Sequence, residues 1–190
     1  MKTVIIIEAR MGSTRLPGKV MKKIVGIEAI GIILKRLKKT KEAQKIVVAT
    51  SKNEENKVLI NYLKKIKASY FCGSENDVLN RFYKTATKHK AEIIVRITAD
   101  CPLVDVQIVD DFIKRFKKNK PDYLSNGLWL PWTYPDGLDV EVFSYGFLKK
   151  AEKKANTLQR RDGAVVSEYL RDNPDSIKWM NITCPIKKNI

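Results

Sequence analysis

Histidine is almost missing from this chain: His89, in Lys88-His89-Lys90, is the only one in 190 residues. That excludes a Ser-His-Asp or Cys-His nucleophilic arrangement, and a histidine between two lysines at a helix end reads as solvated. Cysteine is scarce too. Cys72, Cys101 and Cys184 are odd in number, widely spaced and form no C-x-x-C. This argues against a disulfide or zinc framework and for a reducing, cytoplasmic compartment, with the three thiols read as packing residues. No apolar run reaches the ~18 residues of a membrane span. The longest near the amino terminus, Val4-Ile5-Ile6-Ile7, is followed by charge and is too short for a signal peptide. Internal repeats and low-complexity linkers are also lacking. So are two familiar phosphate motifs. Five residues, not four, separate Gly12 from Gly18, and Lys19 is followed by Val20 rather than Ser or Thr, which excludes a P-loop. The dinucleotide fingerprint G-x-G-x-x-G does not occur.

Acidic residues are outnumbered, 21 against 37 Lys plus Arg, for a formal net charge of +16. The excess is mainly lysine at residues 35–39, 64–67, 114–120 and 149–154, without interleaved aromatics of the kind that stack on bases. These runs read as solvated helix faces and not as a nucleic-acid surface, although they would attract anionic substrates. At 44% hydrophobic content, the chain has enough apolar material for one good core and is expected to form one domain.

What is present in concentrated form is a loop. Glu8 to Lys19 follows the apolar run and packs two glycines, two hydroxyls, one proline and the cations Arg10, Arg15 and Lys19 into twelve residues. Glycine permits backbone angles that let several N–H groups converge on an anion, and the cations suit a polyphosphate. The expectation is a nucleotide-phosphate loop at the carboxyl end of a first buried strand.

Downstream, Ile27, Ile30, Ile33, Leu34 and Leu37 recur at helical spacing. Strands are expected at residues 45–49, running out at Thr50-Ser51, at 69–71 and at 92–97, the last an apolar run broken only by Arg96. Amphipathic helices are expected around Val58–Ile66, Val78–Ala86 and Val109–Phe116. Short apolar strands alternating with helices imply βαβ units and a largely parallel sheet, so the fold class is α/β. Ligands of such sheets bind outside the carboxyl ends of the strands. That rule gathers residues 9–19, Thr50-Ser51, 72–77 and 98–105 on one edge. Further strands are expected at 123–125, 138–143 and 177–182, and helices at 145–156 and 160–172.

Two later stretches could carry chemistry. In Arg96-Ile97-Thr98-Ala99-Asp100-Cys101-Pro102-Leu103, Asp100 lies just past a buried strand. It could bind a hard cation, since magnesium takes one or two carboxylates with substrate phosphates and water; equally it could be a turn or helix-capping aspartate. Asp139 and Glu141 are two apart, so on a strand both carboxylates face one side, either the site or solvent. Trp129, Trp132 and Tyr134 could stack on a sugar ring or form a dimer contact.

Together, Ala9-Arg10-Met11-Gly12-Ser13-Thr14-Arg15-Leu16-Pro17-Gly18-Lys19, Val47 to Ser51, Gly73 to Phe82, Arg96 to Asp105 and Tyr134 to Phe143 resemble, in order, the spore-coat polysaccharide type of cytidylyltransferase. Its relatives are the CMP-sialate and CMP-KDO synthetases. The resemblance implies a nucleotide-diphosphosugar-transferase fold, a Rossmann-like α/β/α sandwich of the glycosyltransferase A-like kind with a mostly parallel central sheet. It implies transfer of CMP from CTP to a sugar or sugar-acid hydroxyl with release of pyrophosphate, in polysaccharide or glycoconjugate biosynthesis, with Mg2+ as cofactor. Carried over by position, Arg10, Gly12, Ser13, Arg15 and Lys19 would hold the triphosphate, and Arg10, Arg15 and Lys19 would stabilise charge during transfer. Ala9, Thr50, Ser51 and Gly73 would surround the base, with Thr98 also on the nucleotide. Asp77 and Arg81 would organise the site by ion pairing or by contact with nucleotide. Asp100 would bind the metal, and Asp139 and Glu141 would sit near the acceptor.

The resemblance weakens after residue 143. Where members carry an Arg-Asp-Arg-Glu-His-like segment, this chain has Arg161-Asp162-Gly163-Ala164-Val165. It ends at Ile190 without the family's C-terminal segment, in which a second metal aspartate is expected. Residues 1–190 are therefore read as a single nucleotidyltransferase domain lacking that segment, a possible homodimer with no nucleic-acid or membrane partner. The competing readings are a nucleotide-binding protein of this fold with reduced or no catalysis, and a transferase using another nucleotide or acceptor.

Overall fold

The computed structural model describes residues 1–13, 15–127, 133–155 and 166–185. The first strand, β1 (Thr3–Glu8), is the centre of the molecule. Val4, Ile5, Ile6 and Ile7 have no exposure at all. A strand with parallel neighbours on both edges and helices on both faces needs such an unbroken run of stiff, branched side chains. A small hairpin, β2 (Lys23–Ile24) and β3 (Ile27–Glu28), leads into α1 (Ala29–Leu37). Then come β4 (Lys45–Ser51), α2 (Lys57–Lys65), β5 (Tyr70–Gly73), α3 (Val78–Lys88) and β6 (Ile93–Thr98). The remaining elements are α4 (Val106–Asn119), β7 (Tyr123–Ser125), β8 (Glu141–Ser144), α5 (Tyr145–Lys154), α6 (Ser167–Asp172) and β9 (Trp179–Asn181).

Among the described residues the main sheet has seven strands in the order β5-β4-β1-β6-β8-β7-β9. All run parallel except β8, which lies antiparallel between β6 and β7. Leu34, Leu59, Leu63, Phe112 and Ile113 from α1, α2 and α4 pack on one face, with Ile5 and Ile7 of β1. Leu79, Phe82, Phe147 and Leu170 from α3, α5 and α6 pack on the other, with Val4 and Ile6. This is the expected α/β sandwich with a mostly parallel sheet. Side-chain caps begin three of its helices: Asp77 accepts from the Asn80 N–H, Asp105 from Gln107 and Ile108, and Ser144 from Phe147.

Some boundaries differ from the expected ones for identifiable reasons. Ile27 belongs to the hairpin and not to α1. The strand expected over residues 138–143 is only Glu141–Ser144, because the buried Asn126 side chain takes the backbone just before it. Asn126 Nδ2 donates to the Leu138 carbonyl and Asn126 Oδ1 accepts from the Val140 N–H, each at 2.9 Å. Of the helix expected over 160–172, Ser167–Asp172 is observed, and 160–165 lies outside the described residues. His89 is half-buried at the end of α3 rather than solvated. Burial pushes its imidazole below the ordinary value, and the charges of Lys45, Lys88 and Lys2 add to the shift. Trp129 and Trp132 lie outside the described residues. Tyr134 packs edge-on against Phe112, with ring centroids 5.9 Å apart, so it serves the core and not a free stacking surface.

The hairpin between β2 and β3 turns on Val25 and Gly26, both at positive φ (49° and 80°), as a two-residue hairpin turn requires. Glycine suits that geometry; valine, β-branched and 97% exposed, does not. Val25→Asn is expected to raise stability by about 0.5–1 kcal/mol, measured as a higher urea midpoint. An unchanged or lower midpoint would show that the turn carries no strain.

Candidate active site

The loop that leaves β1 is fixed from behind by buried polar groups. Ala9 still belongs to the sheet, its N–H donating to the Ala49 carbonyl at 3.1 Å. The Met11 carbonyl accepts from the N–H groups of Ser13 (3.0 Å) and Gly18 (2.9 Å), closing the loop on itself. Gly18 sits at φ 67° and hands the chain to a 3-10 turn, Lys19–Met21, anchored by buried Val20. The Met11 N–H donates at 2.8 Å to Oδ1 of Asn56, a fully buried side chain. Asn56 Nδ2 in turn donates to Ser51 Oγ (2.7 Å) and Glu75 Oε2 (3.4 Å). Glu75 Oε1 accepts from Arg10 Nη1 at 3.2 Å. The ends of β1, β4 and β5 are thus tied together by one network, and buried polar groups are inexpensive only when satisfied in this way.

A cavity of about 350 Å³ opens in front of the loop, lined in part by Arg10, Gly12, Ser13, Arg15, Lys19 and Asp100. It is mainly cationic, with Glu8 and Asp100 as the carboxylates of its lining, and Lys19 Nζ is ion-paired to Asp100 Oδ2. Burial raises the Asp100 carboxyl, but hydrogen bonds from Lys19 and Thr98 and the Lys19 charge outweigh it and hold the group below the usual aspartate value. Asp100 is therefore ionised, with a side chain 41% exposed. It caps no helix; that task falls to Asp105. Among the described residues, no group of three or more His, Cys, Asp or Glu converges to hold a metal. The site thus fits a magnesium ion through one carboxylate, with phosphate oxygens and water supplying the other ligands.

Behind this cavity the charges alternate. Glu8, at the end of β1, receives Arg96 Nε (3.2 Å) and Nη2 (2.9 Å) on Oε2 and lies 3.9 Å from Arg81 Nη2 through Oε1. Arg96 Nη1 also pairs with Glu141 Oε1, its register partner across β6 and β8. Arg96 is almost wholly buried. Desolvation alone would lower its pKa, but Glu141 and Glu8 overcompensate and hold the guanidinium charged beyond its ordinary range. Arg81 has no exposure and donates to the Ser74 and Glu75 carbonyls. Arg81 is in this way ion-paired to Glu8. Glu141 is likewise neutralised by Arg96 rather than presented as a free carboxylate.

A second cavity, about 210 Å³, is lined by Arg96, Thr98, Asp139, Glu141, Ser167 and Arg171, with Tyr123, Ser125 and Gly127 completing it. Asp139 precedes β8 instead of lying on it, yet it faces the same space as Glu141. Arg96 and Thr98 line both cavities, so the two adjoin at the end of β6. A broader recess of about 690 Å³ adds Asp136 and Asp139 on the same side as Lys19 and Asp100.

The structure therefore brings Arg10, Gly12, Ser13, Arg15, Lys19, Thr98 and Asp100 around one space, and Asp139 and Glu141 around its neighbour. Ala9, Thr50, Ser51, Gly73, Asp77 and Arg81 line neither and form the layer behind. Thr50 and Ser51 have no exposure. Gly73 lies so near Arg81 that a Cβ there would stand 2.8 Å from Arg81 Cγ, which requires glycine. Glu8, Asn56, Glu75 and Arg171 had no role assigned from sequence. The signal for one pairing was available: Arg96 interrupts an otherwise apolar strand, and a charge there demands a buried partner. Residues 161–165, where the resemblance departs, lie outside the described residues.

A cationic loop facing an ionised carboxylate at the carboxyl edge of a parallel α/β sheet, beside an acceptor-sized second cavity, is the arrangement of a nucleotidyltransferase. A sequence profile described as cytidylyltransferase matches residues 4–174, and the chain belongs to that family. It is 36% identical over 177 residues to the spore coat polysaccharide biosynthesis protein SpsF of Bacillus subtilis, covering 89% of this chain and 70% of that one. The solved structure of a cytidylyltransferase from Leptospira borgpetersenii serovar Hardjo-bovis superposes with a TM-score of 0.91 at 33% identity, over 99% of this chain and 78% of that one. The structure of CMP:2-keto-3-deoxy-manno-octonic acid synthetase complexed with CTP gives 0.71 at 15% identity, over 97% and 91% of the two chains. That second likeness is one of fold, the nucleotide-diphosphosugar-transferase type.

Removing the shared carboxylate tests the charge chain. Glu8→Gln leaves Arg81 and Arg96 buried and mutually repelling, and is expected to cost roughly 3 kcal/mol of unfolding free energy in chemical denaturation. A loss well under 1 kcal/mol would mean that the guanidinium groups find other compensation.

Proposed function

We propose that the protein transfers CMP from CTP to a hydroxyl of a sugar or sugar acid and releases pyrophosphate, in polysaccharide or glycoconjugate biosynthesis. The observation that carries this reading is the shared wall: Arg96 and Thr98 line both cavities, so a nucleotide in one and an acceptor in the other meet at the end of β6. Arg10, Arg15 and Lys19 take the triphosphate, with Gly12 and Ser13 beneath it. Ala9, Thr50, Ser51 and Gly73 belong to the region of the base, backed by Asp77 and Arg81. Asp139 and Glu141 lie on the acceptor side. Arg171, on α6 and paired with Glu168 at 2.9 Å in the ligand-free protein, is the cation that a sugar-acid carboxylate would draw to itself. The names of the relatives, one in spore coat polysaccharide biosynthesis and one a sugar-acid synthetase, support this choice of acceptor.

In the transfer, the acceptor oxygen attacks the α-phosphorus in line as the bond to the β-phosphate oxygen breaks, and the hydroxyl proton passes to solvent. Such chemistry needs positioning and charge neutralisation more than covalent help, which suits a site with no activated nucleophile among its described residues. Mg2+, when bound, neutralises developing phosphate charge and fixes its geometry. Asp100 is the residue that would hold it. Lys19 and Asp100 neutralise each other in the ligand-free protein; an arriving triphosphate draws Lys19 away and leaves the carboxylate for a cation. Cation and nucleotide therefore bind together.

Lys19→Ala is expected to weaken CTP binding by about ten- to a hundredfold in titration calorimetry with magnesium present; unaltered affinity would reject the site assignment. Arg171→Ala is expected to raise the acceptor KM in a pyrophosphate-release assay across a panel of sugar acids, with CTP affinity unchanged. If no acceptor in the panel sustains turnover of the parent protein, a nucleotide-binding role without catalysis replaces this reading.

A further inference from the structure

The edge of the sheet opposite the candidate site carries a second feature. In a parallel sheet every crossover helix runs back toward the edge where the strands begin, and α2, α3 and α4 end there. Each of these three runs out into exposed lysine: Lys67 after α2, Lys90 after α3 and Lys120 after α4. Lysine near a helix C-terminus is favourable with the dipole, but that does not explain the backbone. Lys67, Lys90 and Lys120 stand at φ 54°, 52° and 48°, in the left-handed position that closes a helix and is normally given to glycine. A side chain there strains the backbone. The chain accepts this strain at three separate helix ends, each time for the same charge on the same edge.

That charge is offset only in part. Glu42 is paired with Lys117, while Glu92 and Asp122, which accept from the Lys2 and Lys178 N–H groups, are outnumbered by Lys2, Lys67, Lys88, Lys90, Lys120 and Lys178. Burial is the main cause of the depressed pKa of His89, and the charges of Lys45, Lys88 and Lys2 add to it. Beside Lys178, at the start of the edge strand β9, Trp179 is 36% exposed.

We propose that this edge is a docking surface for an anionic phospholipid membrane, on which the lysines meet head-group charge and Trp179 seats its indole at head-group depth. The chemistry favours lipid over nucleic acid. The residues past these three helix ends are lysine, a hydrated point charge, and not arginine, whose planar fork reads phosphates bidentately. Among the described residues of this edge, no row of aromatics offers bases a stacking surface. An exposed indole among lysines is instead the interfacial pattern of membrane-seated proteins. Because the candidate site opens on the opposite edge, a docked molecule keeps its mouth in solution.

The test is co-sedimentation with phosphatidylglycerol–phosphatidylcholine vesicles, against pure phosphatidylcholine and at low and high salt. The triple variant Lys67→Gly, Lys90→Gly, Lys120→Gly is expected to bind the anionic vesicles about a hundredfold more weakly than the parent. Its thermal midpoint should be no lower, since glycine relieves the left-handed strain, so lost binding cannot be lost folding. The charge-matched control Lys84→Gln, Lys150→Gln, Lys153→Gln should lose far less. Vesicles should also shift the tryptophan emission to the blue in the parent and not in Trp179→Phe. Equal binding to neutral vesicles, an equal loss in the control, or tighter binding to duplex DNA at matched salt would each overturn the proposal.

Discussion

The structure depends on a carboxylate held between two buried guanidinium groups. Glu8 ends the central strand, Arg81 comes from α3 on one face of the sheet, and Arg96 comes from the neighbouring strand. Burying two arginines is unfavourable unless each is paired and hydrogen-bonded. Once Glu8 and Glu141 pair Arg96, and Glu8 and two loop carbonyls receive Arg81, four elements and the loop after β5 are fixed in one arrangement. The candidate site is assembled on top of that arrangement. Its loop grows from the residue after Glu8, and its carboxylate Asp100 lies four residues beyond Arg96. The polar layer and the site are therefore parts of one construction, with ligand-facing groups above and their electrostatic support below.

Much of this was legible in the residues. A run such as Val4 to Ile7 has few destinations other than the centre of a parallel sheet, and amphipathic spacing locates α2, α3 and α4 because burial of one face is what forms them. Once a parallel sheet is inferred, the rule about carboxyl edges brings the Arg10–Lys19 loop together with Thr98 and Asp100. What could not be read was pairing. Nothing local announces that Asn56 bonds the Met11 N–H, or that Glu75 holds Arg10, because these contacts join residues 45 and 65 positions apart. The same limit explains the short β8. The Asn126 side chain displaces ladder bonds at Leu138 and Val140 from twelve and fourteen positions away, and no alternation of residues records that. The hairpin at Val25-Gly26 was hidden for another reason: a valine at its tip contradicts the usual turn chemistry.

The ion pair between Lys19 and Asp100 gives the ligand-free site its character. Each group is the natural partner of something absent, a phosphate for one and a cation for the other. Together they offset one of the charges of a mainly cationic pocket, which reduces the self-repulsion of Arg10, Arg15 and Lys19 around one space. The separation of edges matters in the same way. The candidate site lies at the ends of the parallel strands and the proposed docking surface at their starts, so one can be engaged without covering the other.

The reversed direction of β8 has a consequence for how such a protein can diversify. Because β8 enters the sheet at the rim instead of leaving it there, Glu141 is delivered to the site by the segment that precedes it. That segment is clasped at its base by the two bonds from Asn126. Its interior can lengthen, shorten or change composition with little entropic penalty, while the clasp keeps Glu141 against Arg96. One side of the candidate site is thus interchangeable in the manner of a tool holder, and the side built on the cationic loop need not alter when the tool is exchanged.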